Sequence, residues 1–426
     1  MKTDPTPARW GLIVSIGVAA AAMLGTLPGR THGLGLITEW LIADLQLDRV
    51  AFATLNFWAT LLGAAFCLPV GWLIDKIGVR WVFLTVVLGL VASVLGMTTA
   101  QPNGDVLWLI VPEPSSSGTY AKAPVPRDLF LMVLLTRGFG QSALSVVSLA
   151  IIGKAVGRSA GWPMGLYSFL VAIGFMAAFG VVKAVEPSLM NDWRTLWWGI
   201  GLGVLCVAPL AFLLRSTNRT DTSTTIDDGT SRTLLQALRT YSFWVFALAT
   251  SYYGLVASGT SLFHQALLAE RGFPREVFLN ITILAPMVGL AANIAAGFLS
   301  RVVPLGFILC FALVVQGVAM VLFPTVTELW HVYAYAMAMG LAGGIQTVVF
   351  FSVWGKLYGP KHLGKIQAAA QLLTVLASAA GPLVLAVGNK MVGHYGPVVQ
   401  WLAGVSFVLA LATLLERRSR IATSRS

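Results

Sequence analysis

An arginine inside an apolar run long enough to cross a bilayer needs a reason to be there, because at the bilayer centre it costs about 2.5–3.5 kcal/mol. Arg137 is such a residue: it follows Asp128 by nine positions, in a run that stays apolar to Ile152. The helical rise puts it about 13 Å deep. Its guanidinium has two possible employments, holding a solute or satisfying carbonyls freed by a kink in the first apolar segment. Arg30 and His32 follow a Pro28-Gly29 break in that segment, and broken helices in carriers line sites. Arg30 could fork onto a carboxylate, and His32 could carry a proton near neutral pH; the plainer alternative is an outer loop with a solvated charge. His264, beside Gln265 after a Gly254–Gly259 stretch, suits a gate, a proton carrier or an interfacial cap. Asn56, Gln141, Tyr167, Tyr252, Tyr253, Asn280, Tyr335 and Gln346 also fall within apolar runs. Each must find a polar partner there, by lining a cavity or by joining two helices.

No Asp or Glu lies firmly in the core of an apolar run; Glu39, in the tail of the first, comes nearest. Interior arginine without interior acid favours an anionic solute. The five histidines (His32, His264, His331, His362, His394) have no metal-ligand spacing, and no phosphate-binding glycine loop is present. The sequence therefore implies no cofactor, no metal and no ATP-driven step.

A different constellation is Gly71-Trp-Leu-Ile-Asp75-Lys76-Ile-Gly78-Val-Arg80, between two apolar runs. Asp75 can face a positive helix end, and Lys76 and Arg80 can pair across a seam. Gly71 and Gly78 would permit close backbone approach. The set suits a conformational latch rather than a solute site.

The elements that must position these groups follow from composition. The chain of 426 residues is 57% hydrophobic and 11% charged, against about 25% charged for a soluble domain, so lipid must cover it. Its net charge of +11 then marks cytoplasmic loops, not nucleic-acid binding. Twelve candidate spans are expected near 10–43 (broken), 50–73, 80–100, 128–152, 160–184, 194–214, 240–264, 276–300, 303–323, 329–354, 365–388 and 397–415. In lipid these must be helices. Lys and Arg are about twice as frequent on the side holding the termini and the Asp75 loop, which predicts cytoplasmic termini. The polar, Ser/Thr-rich 215–239 segment is expected to be a non-periodic cytoplasmic linker between 1–214 and 240–426. The Pro-rich 101–127 stretch is the one long outward loop, hairpin-like cap or tether. Cys67, Cys206 and Cys310 are expected to be small buried hydrophobes. Trp72, Trp81, Trp193, Trp197, Trp198, Trp330 and Trp401 are expected in the interfacial belt. Gly153-Lys154-Ala-Val-Gly157 recurs as Gly355-Lys356-Leu-Tyr-Gly359, hinting at duplicated halves.

The Gly71–Arg80 loop resembles the signature loop of the major facilitator superfamily. So do Arg137-Gly-Phe-Gly140-Gln141, the Gly355–Gly364 loop and Ser378-Ala-Ala-Gly381-Pro382. The resemblance implies an all-α membrane protein, twelve transmembrane helices in two six-helix halves related by pseudo-two-fold symmetry, working by alternating access. It ties Arg137 to substrate binding or proton coupling, and the Asp75 loop to latching one state. Within the superfamily the nearest likeness is to monocarboxylate transporters and oxalate–formate exchangers, through Leu27-Pro28-Gly29-Arg30-Thr-His32-Gly33 and the acidic tail to Asp44. Those families often carry an arginine in the eighth helix; Glu276–Ser300 offers Asn280 and Asn293 instead. Drug–proton antiporters of the superfamily commonly use a buried carboxylate, which is missing here. The expectation is a secondary active transporter of a small carboxylate, coupled to protons or working by exchange, monomeric, in the plasma (inner) membrane. Its partners would be solute, lipid and protons. The alternative is a drug or metabolite efflux carrier of the same fold; a non-transporting sensor or an intramembrane enzyme lacks the residues it would need.

Overall fold

Long apolar runs have only one way to satisfy their backbone in lipid, and the chain takes it almost throughout. The computed structural model describes residues 6–102, 104–112, 120–156, 161–189, 192–214, 232–359 and 362–423. It divides into two compact units, Met1–Asp221 and Thr222–Ser426.

In the first unit, α1 (Thr6–Gly25) stops where the Thr26 hydroxyl bonds the Met23 carbonyl and Pro28 opens a tight turn over Leu27–Gly29. The segment resumes as α2 (Thr31–Gly35) and α3 (Thr38–Asp44). Asp48 caps α4 (Arg49–Gly63) through the Val50 and Ala51 amides. A short turn leads into α5 (Cys67–Ile77), and Gly78, at φ +89°, turns the chain into α6 (Val79–Met97). Then β1 (Val106–Pro112) pairs antiparallel with β2 (Tyr120–Pro126), with Leu109 opposite Ala123. The loop is thus a hairpin, not a tether; its tip, 113–119, lies outside the described residues. α7 (Arg127–Thr136) passes into a π-helical stretch, Arg137–Leu144, before α8 (Ser145–Val156). α9 (Gly161–Val185) and α10 (Trp193–Leu205) complete the unit, α10 capped by Asp192. α1 packs on α8 and α9, α4 on α7, and α6 on α7 and α10.

The second unit opens with α11 (Leu234–Leu238), closed by a Thr233–Gln236 capping box. The expected linker therefore holds a helical turn at its end; its 215–231 part lies outside the described residues. α12 (Tyr241–Ala269), α13 (Arg275–Leu299), α14 (Leu305–Leu322), α15 (Leu329–Tyr358), α16 (Leu363–Val392) and α17 (Tyr395–Thr423) follow. Small residues let these backbones meet. A Cβ on Gly259 would fall 2.8 Å from the Gly381 carbonyl oxygen, and one on Gly289 would fall 3.2 Å from that of Gly340.

Among the described residues ten helices are long and apolar enough to cross a membrane. The other two of the expected twelve are the first, whose break leaves the shorter Gly11–Gly25, and α12, whose Ser, Thr and Tyr side chains dilute its hydropathy. Three expectations need correction. None of the cysteines is fully buried: Cys67 and Cys310 are half-buried and Cys206 is exposed. Trp193 and Trp197 are fully buried, not interfacial; the Trp193 indole N–H donates to Asp44 Oδ2 at 3.0 Å, which draws the start of α10 inward. Buried acid does occur: Glu416, near the end of α17, accepts from the Ser242 hydroxyl at 2.5 Å. Glu39 instead pairs with Arg49 at 2.6 Å.

Candidate functional site

The break after α1 releases backbone groups, and Arg137 takes one of them. Its Nη1 lies 2.9 Å from the Gly29 carbonyl oxygen, 3.2 Å from Thr31 Oγ1 and 3.1 Å from Gln141 Oε1, and Nη2 donates to Asn56 Oδ1. The guanidinium is thereby surrounded by partners and fully buried. This approach needs bare backbone on both sides. A Cβ on Gly29 would lie 2.6 Å from the Gln141 amide nitrogen, and one on Gly140 would lie 2.8 Å from the Gly29 Cα. The π-helical turn starting at Arg137 brings Gln141 round to the same guanidinium.

Arg30 faces the same interior from the other side of the break. Its Nε donates to Thr26 Oγ1 at 2.7 Å, and Nη2 touches Met23 Sδ at 2.8 Å and Ser145 Oγ at 3.4 Å. The guanidinium carbon stands 5.6 Å from the centre of the Phe175 ring. Its Nη1 has no hydrogen-bond partner among the described residues. His32 meets the edges or faces of Phe175 and Phe179 at 5.5 and 5.7 Å. Tyr167 shares a 2.9 Å hydrogen bond with Ser148, whose hydroxyl also reaches the Ala19 carbonyl. Arg30, His32, Asn56, Arg137 and Gln141 thus form one cluster around the broken helix. Thr26, Ser145 and Phe175 belong to it and were not foreseen; Thr26, four residues before Arg30, was the readable one. Two buried or half-buried guanidiniums sit here, and among the described residues neither has an acidic partner.

The second unit has its own polar group. Phe263 interrupts α12 with φ −110° and ψ 17°. The next residue, His264, stands 5.9 Å from the Tyr335 ring and 6.2 Å from Phe278. His264 Nε2 and the Tyr335 hydroxyl are buried without hydrogen-bond partners. Tyr253 lies against Gly343, where its hydroxyl takes the space a Cβ would need. Asn280 donates to the Tyr333 hydroxyl at 3.2 Å. Gln346 is elsewhere: it donates to Gln316 at 2.8 Å, joining α15 to α14. An apolar groove of about 450 Å³ between α13, α14 and α15, lined by Ala292, Phe307 and Ile345, offers no polar group to orient a solute.

In the expected latch, the Asp75 side chain lies outside the described residues. Lys76 Nζ sits 4.5 Å from the centre of the Trp72 ring, and Arg80 stacks 4.7 Å from Phe212. Both bases thus lie over aromatic faces. Gly71 meets nothing within 4 Å of a built Cβ, so close approach is not its role among the described residues; Gly78 earns its place by its positive φ. In the second unit, Lys356 donates to the Ser300 carbonyl at 2.7 Å, closing the end of α13.

The family profile of the Major Facilitator Superfamily matches residues 14–382. Monocarboxylate transporter 13 of Rattus norvegicus is 24% identical over 424 residues, covering 97% of this chain and 89% of that protein. The crystal structure of the nucleoside transporter NupG superposes with a TM-score of 0.70 at 14% identity, covering 95% of this chain and 98% of that one. A point mutant of the same nucleoside transporter gives 0.64 at 16%, covering 95% and 99%. With the superfamily profile spanning most of its length, the chain belongs to the Major Facilitator Superfamily and is a multi-pass membrane transporter, not an enzyme.

Proposed function

We propose that this transporter moves a small carboxylate by alternating access, and that Arg30 is the group that holds it. The carrying observation is positive charge without a counter-ion: Arg30 and Arg137 share one polar interior that holds no carboxylate among the described residues. A buried charge calls for a partner. Arg137 is occupied by protein acceptors, whereas Arg30 keeps Nη1 unengaged. Division of labour follows. Arg30 binds the anion, and Arg137 positions Arg30 by holding Gly29. His32, two residues on, is the nearest group able to exchange a proton, which makes proton coupling the first mode to test and anion exchange the second. The second unit has its own pair of buried polar atoms without hydrogen-bond partners, His264 Nε2 and the Tyr335 hydroxyl. The segment 215–239 serves as the cytoplasmic linker, and the Gly71–Arg80 loop as a latch outside the solute path. The name of the rat relative, a monocarboxylate transporter, agrees with this reading.

The experiment is uptake of labelled lactate, pyruvate, oxalate and formate into proteoliposomes, with and without a pH gradient. Saturable uptake that is lost in Arg30→Ala supports the proposal, and stimulation by an inwardly directed proton gradient supports coupling. Full uptake by Arg30→Ala would remove Arg30 from the site. Transport of amphipathic cations in place of carboxylates would favour an efflux carrier.

A further inference from the structure

The hairpin of the first unit has two faces of different character. Antiparallel register sets Leu107 against Val125 and Leu109 against Ala123 on one face, and Trp108 against Pro124 and Ile110 against Lys122 on the other. On the first face Leu109, Ala123 and Val125 are buried; β1 and β2 both pack on α4, and β2 also on α7. The second face is open: Val106, Trp108 and Ile110 are 47%, 60% and 64% exposed, and Lys122 and Pro124 are exposed beside them. So large an apolar face is foreign to water.

We infer that this open face is seated in the headgroup layer of the bilayer, making the hairpin a lipid-surface anchor for the first unit. Position argues for it. β2 runs into α7 with no residue between, and the Arg127 amide donates to the Asp105 carbonyl at 2.7 Å, tying the hairpin base to the start of the Arg127–Gly153 span. The other strand begins nine residues after Met97, the end of the preceding span. β1 and β2 pack on α4 and β2 also on α7, both parts of spans, so the hairpin is held against helices that lipid covers. Backbone chemistry sets the depth. A two-stranded sheet has two edges with unpaired N–H and C=O groups, which hydrocarbon cannot satisfy and the hydrated headgroup layer can. Composition agrees: Trp with aliphatic neighbours, flanked by Lys122 and Arg127, is the mixture that partitions to this layer. Asp105 and Asp128 balance those two bases, so seating requires no anionic lipid.

The test uses the full chain in nanodiscs of zwitterionic lipid, one copy per disc. Subtracting the emission of Trp108→Phe from that of the unaltered protein isolates Trp108. Seating in the headgroup layer predicts quenching of that component by phosphatidylcholine brominated near the headgroup at least about twofold stronger than by aqueous iodide. A tryptophan placed by Ile110→Trp in the Trp108→Phe chain must behave alike, and guards against local disturbance by either change. Strong iodide quenching with no effect of brominated lipid would put the face in water and overturn the inference. Shielding from both quenchers would put the face against protein, not lipid, and overturn the inference equally.

Discussion

Arg137 donates to the Asn56 side-chain oxygen across 81 residues of sequence, joining the π-helical turn after α7 to α4 inside the first unit. The bond closes a ring of acceptors around one guanidinium, of which the Gly29 carbonyl is the member that matters for the site. Through it, the position of Arg30 depends on Arg137.

The first prediction concerns that dependence. Asn56→Ala removes one acceptor from a buried charge, and destabilisation of about 1–3 kcal/mol is expected. Arg137→Lys should be worse than its charge suggests, because an ammonium cannot reach Gly29, Gln141 and Asn56 together. Thermal melts in detergent measure both. A positioning role predicts that surviving Arg137→Lys protein shows a raised KM for solute before a lowered maximal rate.

Arg30 makes the complementary prediction. Arg30→Lys keeps the charge and loses the fork, and a hydrogen bond to a charged group contributes about 1.5–3 kcal/mol. Affinity for a carboxylate should fall at least about tenfold, at nearly unchanged melting temperature, since among the described residues Arg30 hydrogen-bonds only Thr26, Met23 and Ser145, and a lysine keeps the cation near the Phe175 ring. Competition binding against a labelled carboxylate checks it.

Close packing at the break predicts sharp glycine effects. Gly29→Ala drives a methyl into the backbone of Thr136 and Gln141, neither of which can move aside. Overpacking of this kind costs about 1–3 kcal/mol or more, and loss of folded protein is the expected result. Gly17→Ala, in α1 with open space around it, should be neutral or stabilising by about 0.5–1 kcal/mol. Size-exclusion profiles of the two variants side by side decide.

Outside the spans, Asp192 caps α10 by accepting from the Arg194 amide at 3.0 Å and from the Thr195 hydroxyl. The Thr195 hydroxyl holds its carboxyl below the usual carboxylate range. A folded-state value below the unfolded one means a contribution that is full above the unfolded value, near pH 4, and lost as pH falls through the folded one. Asp192→Asn should retain the cap and abolish this acid-range dependence. Asp192→Ala should lose about 0.5 kcal/mol at pH 7. Melting curves between pH 7 and 3 test the pair.

The parts that sequence disclosed were those governed by local rules. Pro28-Gly29 must break a helix, Arg137 cannot rest unpaired among Leu and Val, and runs of twenty apolar residues must be helical. What stayed hidden depended on distant partners or on register. Nothing near Asn56 announces Arg137, and the π-helical turn has no composition of its own. Trp193 and Trp197 looked interfacial because both open a helix, and only Asp44, 149 residues away from Trp193, draws that helix end inward. The hairpin was ambiguous because prolines at 112, 124 and 126 argue against strands in general yet are tolerated at an exposed edge. Of the site itself, Arg30 and His32 were legible from the break, while Ser145 and Phe175, which frame Arg30, lie more than a hundred residues further on.

The π-helical stretch has a consequence for every side chain beyond it. Each residue of a π-helix turns the chain by less than the about 100° of an α-helix, so ordinary winding of these same residues would carry the chain further round. Everything from Ser145 onward would then swing to a different azimuth. Ser145 would leave Arg30, and Ser148 would leave Tyr167 and the Ala19 carbonyl, although none of them had been altered. The slower winding is therefore a phase setting, and the two ends of this span are in step with the broken helix only while it is kept.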